Sequence, residues 1–257
     1  MKAILLSGGQ IDEKDPLVEF QAYKTKGMIP FLGKPMVQWV LDALSGVEVI
    51  DEIYVIGMDD ESILQSSKPI VYLPDQGALF ANIQYGAKRI MQTSNQDETI
   101  ILASGDIPAL TAEMVRWLIA QVDSDLFDLY YSVIPRDVME KTFPKSNRSY
   151  IHFRDIDVCG GDINVFNTRL FKSSTPLWES LTEARKNYLK QAAMVGIGTM
   201  LLILFKAISL QKAVDRICKK LKIRGKALPV PYAEMGMDVD KPHQLALMQS
   251  FLENRSA

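Results

Sequence analysis

Short apolar runs alternate with stretches of helical spacing through the first half of the chain. Runs at 2–6, 53–57, 70–73, 99–103 and 128–134 are rich in Ile, Val, Leu and Tyr, and they read as strands. Between them, 35–44, 78–91 and 111–122 read as helices, the first with Pro35 near its first turn and the third with Thr111 as N-cap and Glu113 behind it. The alternation is that of βαβ units and predicts an α/β fold with a mostly parallel sheet. In such sheets ligands bind beyond the carboxyl ends of the strands, so the loops that follow the strands are where chemistry is to be sought.

Beyond about residue 140 the alternation breaks down. A polar stretch, EKTFPKSNRSY, is followed by a short strand at 162–166 and a long helical segment. The closing MGMDVDKPHQLALMQSFL reads as an acidic loop, then a helix starting at Pro242 with Leu245, Leu247, Met248, Phe251 and Leu252 on one face. No Gly/Ser-rich or Pro-rich linker divides the chain, which predicts one domain over 1–257 with a helical insertion at about 176–225. Within that insertion AAMVGIGTMLLILF, at 192–205, is shorter than the roughly 20 residues a spanning helix needs. Seven basic residues follow it between Lys212 and Lys226. Three readings stay open: helices packed on the body, an interfacial helix giving weak contact with an anionic membrane surface through 192–226, or the wall of an apolar substrate pocket.

Charge and cysteine narrow the function classes. With Lys+Arg 29 against Asp+Glu 31, the formal net charge of −2 gives no overall drive toward nucleic acid, and none is expected as a partner. Cys159 and Cys218 lie far apart without metal-ligand spacing, so neither a disulfide framework nor a zinc site is expected, and a reducing cytoplasm fits. The first residues lack a basic start, a long apolar core and a cleavage site, so they are expected to be a native first strand.

Three loops carry candidate chemistry. Ser7-Gly8-Gly9 ends the first strand; a glycine pair there is either a tight turn or a place where bare backbone N–H groups approach a ligand. It is neither G-x-G-x-x-G nor a P-loop, since Lys34 is followed by Pro35. Asp106, in ILASGDIPALT, follows a strand, and Asp238 and Asp240, in MGMDVDKP, are two apart and share a face if extended. Each Asp alone reads more readily as a turn former or helix cap. Held together at strand ends they suit Mg²⁺, which takes oxygen ligands and keeps water and phosphate oxygens in its shell.

LLSGG, then KGMIPFLGKPMVQWVLDAL, then SGDIPALT, then DVDKPHQLALM, in that order, resemble the MobA-like nucleoside triphosphate transferases. The resemblance implies a three-layer α/β sandwich of the nucleotide-diphospho-sugar transferase type. It also implies transfer of NMP from an NTP, GTP or CTP, to a phosphorylated acceptor such as molybdopterin or a sugar or alcohol phosphate, with release of pyrophosphate. By the same resemblance Leu6, Ser7, Gly8 and Gly9 line the nucleotide and its triphosphate, and Lys26 balances charge on the α-phosphate. Asp106 and Asp240 become Mg²⁺ ligands with Asp238 beside them, and Gly77 and Asn82 approach base and ribose. The acceptor side falls to Gly160, Gly161, Asp162 and Asn164.

Two departures stand out. Many relatives carry a phosphate-binding Arg soon after the glycines, whereas QIDEKDPLVEFQAYKT has none, leaving Lys14 or Lys24 as substitutes without the bidentate fork. His243-Gln244 replace an acidic pair and are expected to be surface variation on the last helix. No protein nucleophile is needed for such a transfer, and neither His152, expected in a strand, nor His243 reads as a catalytic base. A nucleotide-sugar-dependent glycosyltransferase of the same fold and a non-catalytic nucleotide-binding or membrane-docked protein are the alternatives.

Overall fold

The computed structural model describes residues 1–7, 9–58, 64–94, 96–144, 146–172 and 196–256. The chain enters through β1 (Lys2–Leu6), passes a loop with two 3₁₀ turns, and forms a small hairpin from β2 (Pro30–Phe31) and β3 (Lys34–Pro35) before α1 (Met36–Ser45). There follow β4 (Glu52–Ile56), β5 (Ile70–Leu73), α2 (Leu79–Thr93), β6 (Thr99–Ser104), α3 (Ala112–Ala120), β7 (Leu129–Pro135) and α4 (Arg136–Thr142). The described remainder holds β8 (Ile151–His152), β9 (Asp157–Gly160), β10 (Ile163–Asn167), α5 (Ile197–Leu204), α6 (Leu210–Leu221), β11 (Gly225–Pro229) and α7 (Pro242–Ser256).

Among the described residues nine strands form one mixed sheet in the order β5-β4-β1-β6-β10-β7-β9-β8, with β11 paired to β7. The half that carries the first two motif loops is parallel throughout, β5 to β4, β4 to β1 and β1 to β6. Successive side chains of a strand point to opposite faces, and β1 shows the consequence. Ala3 and Leu5 join the core containing Val40 and Leu41 of α1 and Val115 and Leu118 of α3. Ile4 joins the core on the other face, with Ile83, Ala87 and Ile90 of α2. Helices on both faces of a sheet whose strands are buried on both sides make the expected three-layer α/β sandwich. Thr111 caps α3 as expected, its hydroxyl accepting from the Met114 amide at 3.4 Å. The last helix begins at Pro242 and buries Leu245, Met248 and Leu252.

The second half is richer in strands than its polarity suggests. β9 and β10 are two halves of one path antiparallel to β7: Gly160 opposes Val133 and Val165 opposes Tyr130. Four residues of that path thus span two of β7, and Gly161 and Asp162 leave the ladder. The break is patched locally. The Gly161 amide donates to the Ser132 carbonyl at 2.9 Å, and the Ser132 amide donates to the Asn164 side-chain oxygen at 2.8 Å. Of the helical insertion expected at about 176–225, residues 176–195 lie outside the described residues; from 196 to 224 the chain forms α5 and α6, packed beside β8, β9 and β11, and Gly225 already opens β11.

Candidate active site

The site is assembled where β1 and β6, adjacent and parallel, end together. Ser7 is buried, its amide donating to the Ile56 carbonyl at 3.0 Å and its carbonyl accepting from the Gly27 amide at 2.9 Å. A Cβ on Gly27 would sit 2.0 Å from that carbonyl oxygen, so only glycine lets residues 25–28 lie against the end of β1. The contact fixes Lys26, whose own amide donates to the Gly9 carbonyl at 3.0 Å. Gly9 is exposed and Leu6 half-buried; Gly8 lies outside the described residues.

From that position the Lys26 ammonium donates to Asp240 Oδ1 at 2.7 Å and lies 3.2 Å from Asp15 Oδ2. Burial works against its charge, but the two carboxylates outweigh burial and raise its pKa. For Asp240 burial also opposes the charged form, and the bond to Lys26 prevails, holding its carboxyl below the ordinary range. The Asp240 amide in turn donates to Gln244 Oε1 at 3.0 Å, which seats the acidic loop on the first turn of α7. Gln244 is buried, so the expectation of surface variation at His243-Gln244 holds for exposed His243 only. A glutamate in place of Gln244 would carry a second charge against the acidic loop.

Asp106 is buried just past β6. The Ser104 hydroxyl donates to its Oδ1 at 2.5 Å, and its carbonyl accepts from the Val239 amide at 2.9 Å, tying the loop after β6 to the DVD segment. Burial pushes the Asp106 carboxyl above its ordinary range against the help of Ser104, and the charge of Asp240 adds to the rise. Asp162, whose amide donates to the Met235 carbonyl at 2.8 Å, is pushed well up by burial and by Asp238 and Asp106. Its Oδ2 is buried with no hydrogen-bond partner. Asp238 is ion-paired to Arg148, yet burial raises its carboxyl to about 7. The Arg148 guanidinium also reaches to 3.7 Å from Asp162 Oδ2 and donates to the Gly160 carbonyl at 3.4 Å.

Five carboxylates, Asp15, Asp106, Asp162, Asp238 and Asp240, therefore share one region with two cations, Lys26 and Arg148. The negative excess and the Asp162 oxygen, buried without a hydrogen bond and reached only at ion-pair distance by Arg148, suit a small hard cation, for which Asp106, Asp238 and Asp240 offer oxygen donors. Among the described residues no three His, Cys, Asp or Glu gather closely enough to hold a metal by themselves. One or two carboxylates completed by substrate phosphates and water form the usual Mg²⁺ shell, so the donor set fits Mg²⁺ in that mode.

The other expected site residues lie to either side. Gly77 adopts a φ of +75° at the exposed loop after β5, its amide donating to Asp75 Oδ1 at 3.0 Å. Asn82, in the first turn of α2, clips the same loop by donating to Asp75 Oδ1 at 2.8 Å and accepting from the Gln76 amide at 2.7 Å. On the opposite side Gly161 and Asn164 belong to the patched break in the sheet, and Asp162 is the member of that trio that enters the acidic centre.

Residues 20–185 match the MobA-like NTP transferase domain, well over half of the chain. The chain belongs to this family. A hypothetical transferase from Thermus thermophilus is 30% identical, with a TM-score of 0.81 over 95% of this chain and 98% of that one. Two more distant structures share the fold at 13% identity. One is a CMP:2-keto-3-deoxy-manno-octonic acid synthetase complexed with CTP, with TM-score 0.60 over 99% of this chain and 100% of that one. The other is a 4-diphosphocytidyl-2C-methyl-D-erythritol synthase from Anaerococcus prevotii, with TM-score 0.57 over 98% and 95%. A search of curated proteins finds no match.

Sequence reasoning about this MobA-like transferase missed four contributors: Asp15, Ser104, Arg148 and Gln244. Arg148 lies in the polar stretch between α4 and β8, where no periodicity marks which of its charged residues turns inward. Asp15 lies in the long loop that also carries Lys14 and Lys24, and it places an anion on Lys26. Gln244 had a usable signal, since a polar residue in the first turn after D-x-D-K-P is placed to cap the acidic loop.

Proposed function

We propose that this transferase is a Mg²⁺-dependent nucleotidyltransferase that moves NMP from an NTP to a phosphorylated small-molecule acceptor and releases pyrophosphate. The observation that carries the reading is the convergence of Lys26, Asp240 and desolvated Asp106 at the paired ends of β1 and β6. An acceptor phosphate oxygen attacks the α-phosphorus in line, and the bond to the pyrophosphate oxygen breaks. Such a transfer needs positioning and charge stabilisation rather than a protein nucleophile. The Gly8-Gly9 backbone amides and Lys26 hold the triphosphate, the Ser7 amide being committed to the Ile56 carbonyl, and Lys26 leaves its carboxylates to face charge that builds on the nonbridging oxygens. Asp106 and Asp240, with Asp238 beside them, are the residues that would hold Mg²⁺, which when bound polarises the phosphoryl oxygens and offsets the charge of pyrophosphate.

Gly77 and Asn82, in the loop clipped by Asp75, take the base and ribose side, and Gly161, Asp162 and Asn164 the acceptor side. The acceptor is a phosphorylated alcohol, sugar or pterin. Its phosphate is already ionised at neutral pH, which removes the need for a general base. CTP and GTP are the favoured donors, and the fold neighbours named for CTP and for a diphosphocytidyl product support the cytidine choice. We place the whole chain in one catalytic domain with 176–225 as an insertion, working in a reducing cytoplasm, where Cys159 and Cys218 stay free.

The test is calorimetric titration of ATP, GTP, CTP and UTP, with and without Mg²⁺, into the wild type and Asp106→Ala. Tight Mg²⁺-dependent binding of one base that is lost in the variant is the expected result, followed by a screen of phosphorylated acceptors for pyrophosphate release. If no triphosphate binds and a nucleotide sugar does, the glycosyltransferase reading replaces this one.

A further inference from the structure

Helix α5 is apolar on both sides, and the protein body covers only one of them. Leu202 and Ile203 pack with Phe153, Val158, Ile208 and Leu210, and Thr199 is buried. On the other side Ile197, Met200, Leu201 and Leu204 are spaced i, i+3, i+4 and i+7, and with Phe205 at the helix end they form one stripe. They are 67, 43, 48, 72 and 75% exposed, and no other described element leaves so many large apolar side chains in water. Eight helical residues span about 12 Å, too short to cross a bilayer, and no described helix is long and apolar enough to do so.

The charge of the hairpin itself is strongly one-sided, although Asp157 lies in the field of Lys206 and Asp155 accepts from the Leu210 amide. Residues 196–226 contain eight Lys and Arg against a single acid, Asp215, inside a chain whose formal net charge is −2. Arg224 is held by Asp128, but Lys206, at the end of α5, and Lys212, Arg216 and Lys219 of α6 are exposed. An apolar stripe bordered by cations is the chemistry of a helix lying in the headgroup layer of an anionic membrane. A two-fold contact between copies would set the same basic hairpin against itself, so the charge pattern disfavours a second copy of this chain as the occupant.

We propose that the α5–α6 hairpin docks this transferase on an anionic lipid surface, with Ile197, Met200, Leu201, Leu204 and Phe205 entering the headgroup layer and the α6 cations facing lipid phosphates. The inference rests on the surface alone and stands whatever the acceptor is. The hairpin also flanks the site. Val158 of β9 packs in its core cluster, and Gly160, two residues on, accepts from Arg148.

Flotation of the full chain with vesicles of phosphatidylcholine and phosphatidylglycerol, against phosphatidylcholine alone, tests it. Binding at least tenfold stronger to the anionic vesicles, weakened by salt, is expected. Leu204→Ser/Phe205→Ser and, separately, Lys212→Glu/Lys219→Glu should each lower it by tenfold or more, with circular dichroism and Mg²⁺-triphosphate titration matching the wild type. These are exposed positions outside the acidic centre. Equal binding to both vesicle types overturns the role of charge and with it the proposal. Absence of vesicle binding overturns it too, and size-exclusion then identifies the occupant. A dimer dispersed by Leu204→Ser/Phe205→Ser then means that a second copy covers the stripe.

Discussion

Lys26 and Asp240 meet at 2.7 Å across 214 positions of sequence, joining the loop after the first strand to the loop before the last helix. The same ammonium is shared with Asp15 at 3.2 Å, in a position where both side chains are 13% exposed. A cation so placed is poised for phosphate and already occupied. On the role proposed for Lys26, Asp15 would compete with a triphosphate for its ammonium. Asp15→Asn is expected to tighten triphosphate binding by roughly 2- to 10-fold, in line with the modest worth of a partly screened pair. Lys26→Met is expected to lower turnover by about 10²- to 10³-fold while circular dichroism stays native. Titration calorimetry reads the first effect and pyrophosphate release the second; weaker binding by Asp15→Asn would show that Asp15 supports the nucleotide instead.

The Asp106 carboxylate is buried with one hydroxyl donor and a second carboxylate in its field, an arrangement that destabilises the empty protein. Asparagine keeps the acceptor for Ser104 and removes the charge. In the absence of Mg²⁺ and nucleotide, Asp106→Asn should therefore melt no lower than the wild type, and is expected to gain about 1 kcal/mol. Turnover should fall by roughly 10³-fold or more if this carboxylate holds the metal. A thermal melt combined with a pyrophosphate assay separates the two effects, and a variant that melts lower and stays active would sink the assignment.

Gly27 carries no chemistry, yet the site depends on it. With a Cβ 2.0 Å from the Ser7 carbonyl oxygen, Gly27→Ala must push the Lys26 segment off the end of β1. Because the obstacle is backbone, overpacking of about 3 kcal/mol is expected, with a loss of turnover like that of a Lys26 variant. Gly9→Ala is the control, since nothing lies within 4 Å of a Cβ there, and its stability should stay within about 0.5 kcal/mol of wild type. Denaturant unfolding of both variants checks the difference.

The parallel half of the fold was legible because strand and helix periods are clear there: β1, β5 and the start of α7 fall where the apolar pattern puts them. The antiparallel half was not. β9 spans only DVCG, and its pairing with β7 is decided by a break at Gly161-Asp162 that no periodicity announces. The site divides in the same way. Lys26, Asp106 and Asp240 stand in motif loops at strand ends, where position alone draws attention. Arg148 could not be singled out among the charges of KSNRSY, because what selects it is the desolvated pair Asp162 and Asp238, brought from 14 and 90 positions away by the folded sheet. Asn164 has a structural part that no sequence pattern announces. Its amide is occupied with Ser132 and Gly161, patching the sheet.

Asp128 makes the fold itself sensitive to acid. Held at the start of β7, its carboxylate accepts from Arg224 Nε at 2.9 Å and Nη2 at 2.6 Å and from Arg169 Nε at 3.0 Å, binding β7 to the ends of β10 and β11. The bonds from Arg224 outweigh burial and, with Arg169, hold the carboxyl below its ordinary 3.8. A group whose pKa is depressed by folding contributes stability that is complete above the unfolded value and disappears as pH falls through the folded one. The clamp is therefore present at neutral pH, begins to weaken as pH drops past about 4, and is gone in stronger acid. Asp128→Asn is expected to cost about 1–2 kcal/mol at pH 7, and that deficit relative to wild type should shrink as pH falls below about 4. Urea unfolding of both proteins between pH 3 and 7 gives the comparison. A deficit independent of pH would assign the loss to altered packing rather than to the carboxylate charge.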